Sequence, residues 1–305
     1  MSLNSSISYL ERVKSYYLAL GYGAPYVWAT FDEVPFQPLC KPLDQATIGI
    51  VTTANLYQPG KGNQGPGAAY NGQAKFYQVY TQSTSTTPTL GISHLAYDRT
   101  HSKADDQASY FPLTALRLLA ESGLVAGIAP RFYGLPTNRS QKTTQDVDCP
   151  ALLERCKEDR VDGVVLVANC PVCHQSVSLA ARTLEANGIA TVIMGCAKDI
   201  VEQVGVPRLL FSHFPLGNAA GLPHDPQSQL KTAQLALTLL ADASAPRTTL
   251  INPIPWPGPC GWEKDYCNAQ LLSKEEIARR KAEFDRGKDE AKRLRDQMQT
   301  DDASP

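Results

Sequence analysis

The chain has 305 residues, of which 43% are hydrophobic and 19% charged, and its formal net charge is −1. This composition is typical of a globular protein, and the length allows two domains with a core each. The apolar runs are too short to span a bilayer, and the scattered basic residues argue against a nucleic-acid partner. The first residues lack the apolar core of a secretory signal, so we expect a cytoplasmic protein with free thiols.

Residues 1–145 are predicted to form an N-terminal α/β domain. Leu10, Val13 and Tyr17 recur at helical spacing, which indicates an amphipathic helix. The run "ATIGIVTTAN", residues 46–55, is typical of a buried strand in a parallel sheet. Residues 112–123, "PLTALRLLAESG", have the pattern of a helix that ends at a glycine.

A long glycine-rich loop interrupts this first domain between residues 58 and 88. Its segment "PGKGNQGPG" resembles a phosphate-binding loop in composition only. It lacks the Gly-Lys-Ser or Gly-Lys-Thr ending and no helix follows it. We therefore predict no nucleotide site there and no bound cofactor.

Residues 146–245 alternate regularly between strands and helices, which predicts a second domain with a parallel sheet. Its three expected strands cover residues 161–168, 189–195 and 208–212. The fold class is thus α/β, with two doubly wound, Rossmann-like domains. Residues 246–305 follow as an extended proline-rich segment and a charged C-terminal helix that would form a surface clasp or a dimer contact.

Reactive side chains follow three successive strands of the second domain. Cys170 and Cys173 come after the first strand, Cys196 after the second and His213 after the third. In an open parallel sheet, ligands bind beyond the carboxyl ends of the strands. We therefore expect these four residues to line one crevice.

The segment "CPVCH" can be interpreted in three ways. Cys173 lies near the start of a helix, whose dipole and free N–H groups favour a thiolate, so the pair is a candidate nucleophile or redox dithiol. Cys170, Cys173 and Cys196 are also a candidate site for a soft metal such as copper, zinc or mercury. In the third interpretation both cysteines are buried structural thiols without a chemical role. His174 is expected at the surface as a candidate proton donor beside Cys173.

Several blocks of the chain resemble the selenoprotein B component of glycine, sarcosine and betaine reductases and its D-proline reductase relative. They are "PLCKPLDQATIGIVTT", "ISHLAYD", "YFPLTALRLLAESGLVAGIAPRFYG" and "LLFSHFPLGNAAGLPHD", and with the cysteine turn they cover residues 38–225. The resemblance implies reductive cleavage of a carbon–nitrogen bond in a small amine or amino acid. It also implies a companion subunit with a pyruvoyl group in the amino-acid reductases.

The family places selenocysteine at the position of Cys170 in the glycine-reductase pattern and of Cys173 in the proline-reductase pattern. This chain has sulfur at both positions, and Ser176 where the first pattern has a further cysteine. A thiol has a higher pKa than a selenol and is a poorer leaving group. The resemblance therefore implies a slower reaction or an easier substrate, and leaves open which cysteine attacks.

Together these observations predict a thiol-dependent reductase acting on a small-molecule substrate. One cysteine attacks and the other resolves, and a thioredoxin-like or other dithiol donor restores both. His213 and His94 are candidate proton donors, and the expected substrate-binding residues are His94, Asn55, Asn218 and Cys196. The alternatives are a redox-neutral lyase or racemase, a soft-metal binder and a non-catalytic subunit of a reductase complex, with a companion subunit or homo-oligomer as partner.

Overall fold

The computed structural model describes residues 7–24, 26–65, 68, 71–94 and 96–301. The strands in this part of the chain are β1 (Thr47–Thr52), β2 (Asn55–Leu56), β3 (Tyr80–Ser83), β4 (Leu90–Gly91), β5 (Gly127–Ile128), β6 (Arg131–Gly134), β7 (Gly163–Val167), β8 (Ala190–Gly195), β9 (Arg208–Phe211) and β10 (Thr248–Ile251). The helices are α1 (Tyr9–Ala19), α2 (Leu113–Glu121), α3 (Gln141–Thr143), α4 (Cys149–Glu158), α5 (Pro171–Ala186), α6 (Lys198–Val204), α7 (Pro226–Asp242) and α8 (Lys274–Asp301).

The strands form one central sheet and a small separate ribbon. The sheet has the order β10-β9-β8-β7-β1-β6-β3, with β5 also paired to β1, and the ribbon consists of β2 and β4. Neighbouring strands of the sheet are parallel, except that β3 is antiparallel to β6. The predicted α/β class with a doubly wound, mostly parallel sheet is confirmed.

A single sheet extends through both predicted domains, where we expected two. Residues 48–52 of β1 pair in register with residues 163–167 of β7. Each half alone would leave the edge of β1 or β7 unpaired, and pairing them satisfies the backbone groups of both strands. The boundaries at residues 145 and 245 stay a prediction.

Both faces of the sheet are covered, because alternate residues of each central strand face opposite layers. Val165 and Val167 of β7 pack in a core with residues of α2 and α7. Val164 and Leu166 pack in a second core with residues of α4 and α5. The nearly continuous aliphatic sequence of β7 follows from this double coverage.

The proline-rich segment and α8 lie along the surface. Trp262 of the segment is buried, and Phe284 of α8 packs edge-on against Tyr17 and Tyr22, with ring centroids 5.4 and 5.1 Å apart. These contacts agree with the expected clasp. None of the helices in the described ranges combines the length and the apolar character that crossing a bilayer requires.

Candidate functional site

The site lies where β1 and β7 end side by side, which is the point at which the strand order reverses direction. Thr53 follows β1 and Asn169 follows β7. The Thr53 hydroxyl accepts hydrogen bonds from the backbone N–H of Asn169 at 3.2 Å and from its Nδ2 at 3.1 Å. This cross-link fixes the residue that precedes Cys170. Crevices at such switch points are the usual ligand sites of open α/β sheets.

Cys170 is the N-cap of α5, so the helix begins inside the Cys-x-x-Cys motif. Its Sγ accepts a hydrogen bond from the backbone N–H of Cys173 at 3.3 Å, and Pro171 occupies the first turn, where its missing N–H costs nothing. The two Sγ atoms are 2.7 Å apart. Cys170 is 5% exposed and Cys173 is 0% exposed, so both thiols are shielded from water.

Three groups converge on Cys173. The Cys170 thiol and the Thr137 hydroxyl, at 2.7 and 3.3 Å from its Sγ, can both donate hydrogen bonds to it, and the His94 ring lies beside it. Burial on its own would raise the pKa of Cys173, but the Cys170 thiol, the charge and hydrogen bond of His94 and the Thr137 hydroxyl bring it well below its usual range. Burial and the neighbouring Cys173 raise the pKa of Cys170. These contacts favour the thiolate form at Cys173 over Cys170.

His94 reaches the cysteines from the loop after β4. Asn55 fixes this loop, because its Oδ1 accepts from the backbone N–H of Ser93 at 3.1 Å, while its Nδ2 donates to Gln64 at 3.3 Å. The ligand atoms of His94, Cys170 and Cys173 lie within 4.8 Å of one another. Of the four expected substrate-binding residues, His94 is thus at the cysteines, and the Asn55 amide is used to hold its loop.

His174 is completely buried, so the expected surface position is wrong. Its Nδ1 lies 2.7 Å from the carbonyl oxygen of Cys170, and its Nε2 accepts from the backbone N–H groups of Cys196 and Ala197 at 2.9 and 3.0 Å. Burial lowers the pKa of His174 to about 4, so the ring is neutral. Both ring nitrogens bond to backbone groups, so His174 connects the segments that follow β7 and β8. The ring is therefore not available as a proton donor to Cys173.

Cys196 and His213, which follow the next two strands, are not in the cluster of ligand atoms around the cysteine pair. Cys196 is buried, and burial raises its pKa to about 12, although backbone N–H groups of Asn218 and Phe214 oppose this. The Asn218 side chain bonds to Ser102 and to the carbonyl of Pro215, both at 3.0 Å. Among the described residues, the potential metal ligands that cluster together are Cys170, Cys173 and His94, whereas we expected Cys196 as the third ligand.

His213 belongs to the tail contact. Its Nε2 lies 3.2 Å from Glu263, and its ring centroid lies 5.4 Å from that of Trp262. β9 lies two strands from β7, which is about 10 Å at the usual spacing. That all three strand exits line one crevice stays a prediction.

A cavity of about 260 Å³ is lined by segments that precede and follow His94 in the sequence, but His94, Cys170 and Cys173 are not among its lining residues. Gly91 and Ile92, which precede His94, line it together with Tyr97, Arg99 and other residues of the 57–68 and 89–110 segments. Arg99 lies over the Tyr97 ring and donates to the carbonyls of Ala68 and Ile92. Burial lowers the pKa of Arg99, although its neighbours Tyr97, Tyr266 and Cys170 oppose this shift. A single arginine in polar loop sequence had given no signal of this cavity.

Comparison with known proteins gives consistent matches. The family model for "Glycine/sarcosine/betaine reductase selenoprotein B" matches residues 19–169. The chain is 27% identical to D-proline reductase subunit gamma of Acetoanaerobium sticklandii, over 72% of this chain and 87% of that protein. It is 26% identical to glycine reductase complex component B subunit gamma of Symbiobacterium thermophilum, over 69% of this chain.

A further relative is sarcosine reductase complex component B subunit beta of Peptoclostridium acidaminophilum, 23% identical over 65% of this chain. The matches cover 49% of the glycine reductase protein and 44% of the sarcosine reductase protein, so the chain spans about half the length of these two relatives. No solved structure is significantly similar to the chain. The chain is thus similar to the selenoprotein B family of glycine, sarcosine and betaine reductases and to D-proline reductase subunit gamma, and it has cysteines at positions 170 and 173, directly after the part that the family model matches.

Proposed function

We propose that this protein is the thiol-bearing subunit of a reductase complex that cleaves a carbon–nitrogen bond in a small amine or amino-acid-like substrate. The observation that supports this most directly is the environment of Cys173, where a thiol, a hydroxyl and an imidazole stabilise a buried thiolate. A thiolate is the form of cysteine that attacks carbon or sulfur. The relatives are subunits of reductase complexes, which is consistent with this role.

In the first step the Cys173 thiolate attacks the carbon that bears nitrogen. A carbon–sulfur bond forms, the carbon–nitrogen bond breaks, and the amine leaves with a proton from His94. In the second step Cys170, as a thiolate, attacks the Cys173 sulfur. The disulfide forms, and the carbon leaves with the electron pair of the carbon–sulfur bond and takes up a proton. The two cysteines thus supply the two electrons that convert the carbon–nitrogen bond into C–H and N–H.

In the second step the carbon departs from sulfur as a carbanion. A carbanion forms readily only when a neighbouring group withdraws its electron pair. A carbonyl or carboxyl group beside the reacting carbon fulfils this requirement. The 260 Å³ cavity is large enough for a small amino-acid-like molecule, and Arg99 on its wall would pair with a carboxylate. We therefore propose that the substrate approaches the cysteine pair through this cavity, whose wall includes Ile92, two residues before His94, and that Arg99 attracts its carboxylate.

Turnover requires partners. An external dithiol of the thioredoxin type must reduce the Cys170–Cys173 disulfide by thiol exchange. A companion subunit that activates the amino group would complete the reaction for substrates with a poor leaving group. A redox-neutral lyase or racemase would need neither a dithiol nor cycling of the cysteines.

Trapping the intermediate tests the proposal. The reduced protein, with and without a cell extract that supplies partners, is incubated with candidate amines and amino acids and analysed by peptide mass spectrometry. Cys170→Ser should accumulate a substrate adduct on Cys173, because it cannot resolve the thioether, while the native chain should accumulate the disulfide. Cys40→Ser, at an exposed thiol, is the matched control. The absence of a Cys173 adduct in Cys170→Ser under every condition, or turnover without a dithiol, would contradict the reductase.

A further inference from the structure

The His94–Cys170–Cys173 cluster has the composition of a metal site as well as of a nucleophile. It offers two sulfurs and one imidazole nitrogen, all within 4.8 Å of one another. Zinc and related soft divalent ions take tetrahedral sets of thiolate and imidazole ligands, often with three ligands from the protein and one open position. The three residues come from two separate segments, the loop after β4 and the first turn of α5, which together surround a single point.

The surrounding groups support such a site. His94 Nδ1 is buried, and no hydrogen-bond partner for it exists among the described residues. The backbone N–H of Cys173 and the Thr137 hydroxyl contact the two sulfurs and would orient them as outer-shell groups. Backbone N–H groups of Asn218 and Phe214 bond to Cys196, so the set among the described residues has three protein ligands.

The adjustment that a metal would require is small. Zinc–sulfur bonds of about 2.3 Å place two tetrahedral sulfurs about 3.7 Å apart. The present Sγ to Sγ distance is 2.7 Å, so the sulfurs have to separate by about 1 Å. A rotation of the Cys170 side chain about its Cα–Cβ bond would provide this movement and would lengthen the hydrogen bond that its Sγ accepts from the backbone N–H of Cys173.

We propose that His94, Cys170 and Cys173 bind one thiophilic divalent cation, of the zinc and cadmium class, in the reduced protein, and that this cation blocks the cysteine pair reversibly. Binding breaks the S–H bond of the remaining thiol, releases its proton to solvent and forms a metal–sulfur bond, so it requires no oxidant or reductant. A Cys170–Cys173 disulfide has no thiolate to offer, so the oxidised protein binds no metal. This regulation rests on the proposed function, but metal binding itself can be measured without substrate.

The test is a Cd²⁺ titration of the full reduced chain, followed by the ultraviolet charge-transfer absorbance of cadmium–thiolate bonds. We expect saturation at one equivalent, displacement by Zn²⁺, and no signal after oxidation of the cysteine pair. His94→Ala should weaken binding by about tenfold or more, as loss of a ligand costs at least as much as loss of an outer-shell group. Cys40→Ser should bind like the native chain.

The oxidised native protein serves as a control that does not depend on the folding of a variant. A signal that persists after oxidation, or that is equal in His94→Ala, would overturn the metal site. A chain that binds one Cd²⁺ but never forms a substrate adduct would keep the metal site and lose the reductase. A chain that turns over substrate at an unchanged rate with stoichiometric Zn²⁺ would support the reductase and contradict the regulation by metal.

Discussion

Thr137 is the residue whose contribution to the thiolate can be changed most cleanly. Its hydroxyl lies 3.3 Å from Cys173 Sγ and bonds to it. Thr137→Val replaces the hydroxyl with a methyl group of similar size, and Thr137→Ser keeps the hydroxyl. A hydrogen bond to a charged group contributes about 1.5–3 kcal/mol. Since about 1.4 kcal/mol corresponds to one pH unit, Thr137→Val should raise the pKa of Cys173 by about 1 to 2 pH units.

The assay is the pH dependence of alkylation of Cys173 by iodoacetamide, read for each cysteine by peptide mass spectrometry. Only the thiolate reacts, so the rate rises with pH up to the pKa and then stays constant. Burial slows the reaction at every pH but leaves the midpoint unchanged. The exposed Cys40 in the same molecule is the internal reference.

We expect Thr137→Ser to keep the native midpoint and Thr137→Val to have a higher one. An unchanged midpoint in Thr137→Val would refute the assignment of the hydroxyl as a donor to Cys173. A lower midpoint for Cys170 than for Cys173 in the native chain would reverse the assignment of thiolate and thiol.

Three further changes test the surrounding structure. Arg208→Met should lower the free energy of unfolding by about 3–5 kcal/mol in urea titrations, because it leaves the buried Glu185, 2.8 Å from Arg208, without its partner. Burial raises the pKa of Asp148 to about 6, so its contribution to stability is complete below pH 4 and is lost as the pH rises through 6. The free energy of unfolding from urea titrations should therefore fall between pH 4 and pH 8, and Asp148→Asn should remove this part of the fall. Gly217→Ala should weaken ligand binding in the cavity, measured by calorimetry, because the residue has a φ of +101° and a Cβ there would collide with Tyr97; an unchanged affinity would exclude Tyr97 from the binding surface.

The sequence predicted the cysteine pair well, since its position depends only on local features. A buried aliphatic run followed by Cys-Pro-x-Cys fixes a strand, a turn and a helix start, and these are set by neighbouring residues. The choice between Cys170 and Cys173 could not be made in the same way. It depends on Thr137 and His94, which reach Cys173 from distant segments and have no fixed spacing to the motif.

The positions of two histidines also depended on contacts between distant segments, which the sequence pattern does not reveal. His174 was expected at the surface because it follows the motif at a helix start, yet the next strand exit covers it and uses both ring nitrogens. His213 was placed correctly at the end of its strand, but the order of strands put it beside the tail. Periodicity predicts which residues end a strand, whereas the packing of loops over that end decides which of them meet.

The single sheet restricts how a substrate can approach Cys173. Two domains joined by a linker could expose a buried thiol by rotating apart, but β1 and β7 are bonded along their length and form no hinge. The sheet and α5 therefore hold the two sulfurs in a fixed position. A substrate would then have to pass the covering segments, which include the β2–β4 ribbon with only two paired residues in each strand. The loop that supplies His94 follows this ribbon directly, so admitting a substrate and removing the imidazole from the thiolate would be one movement.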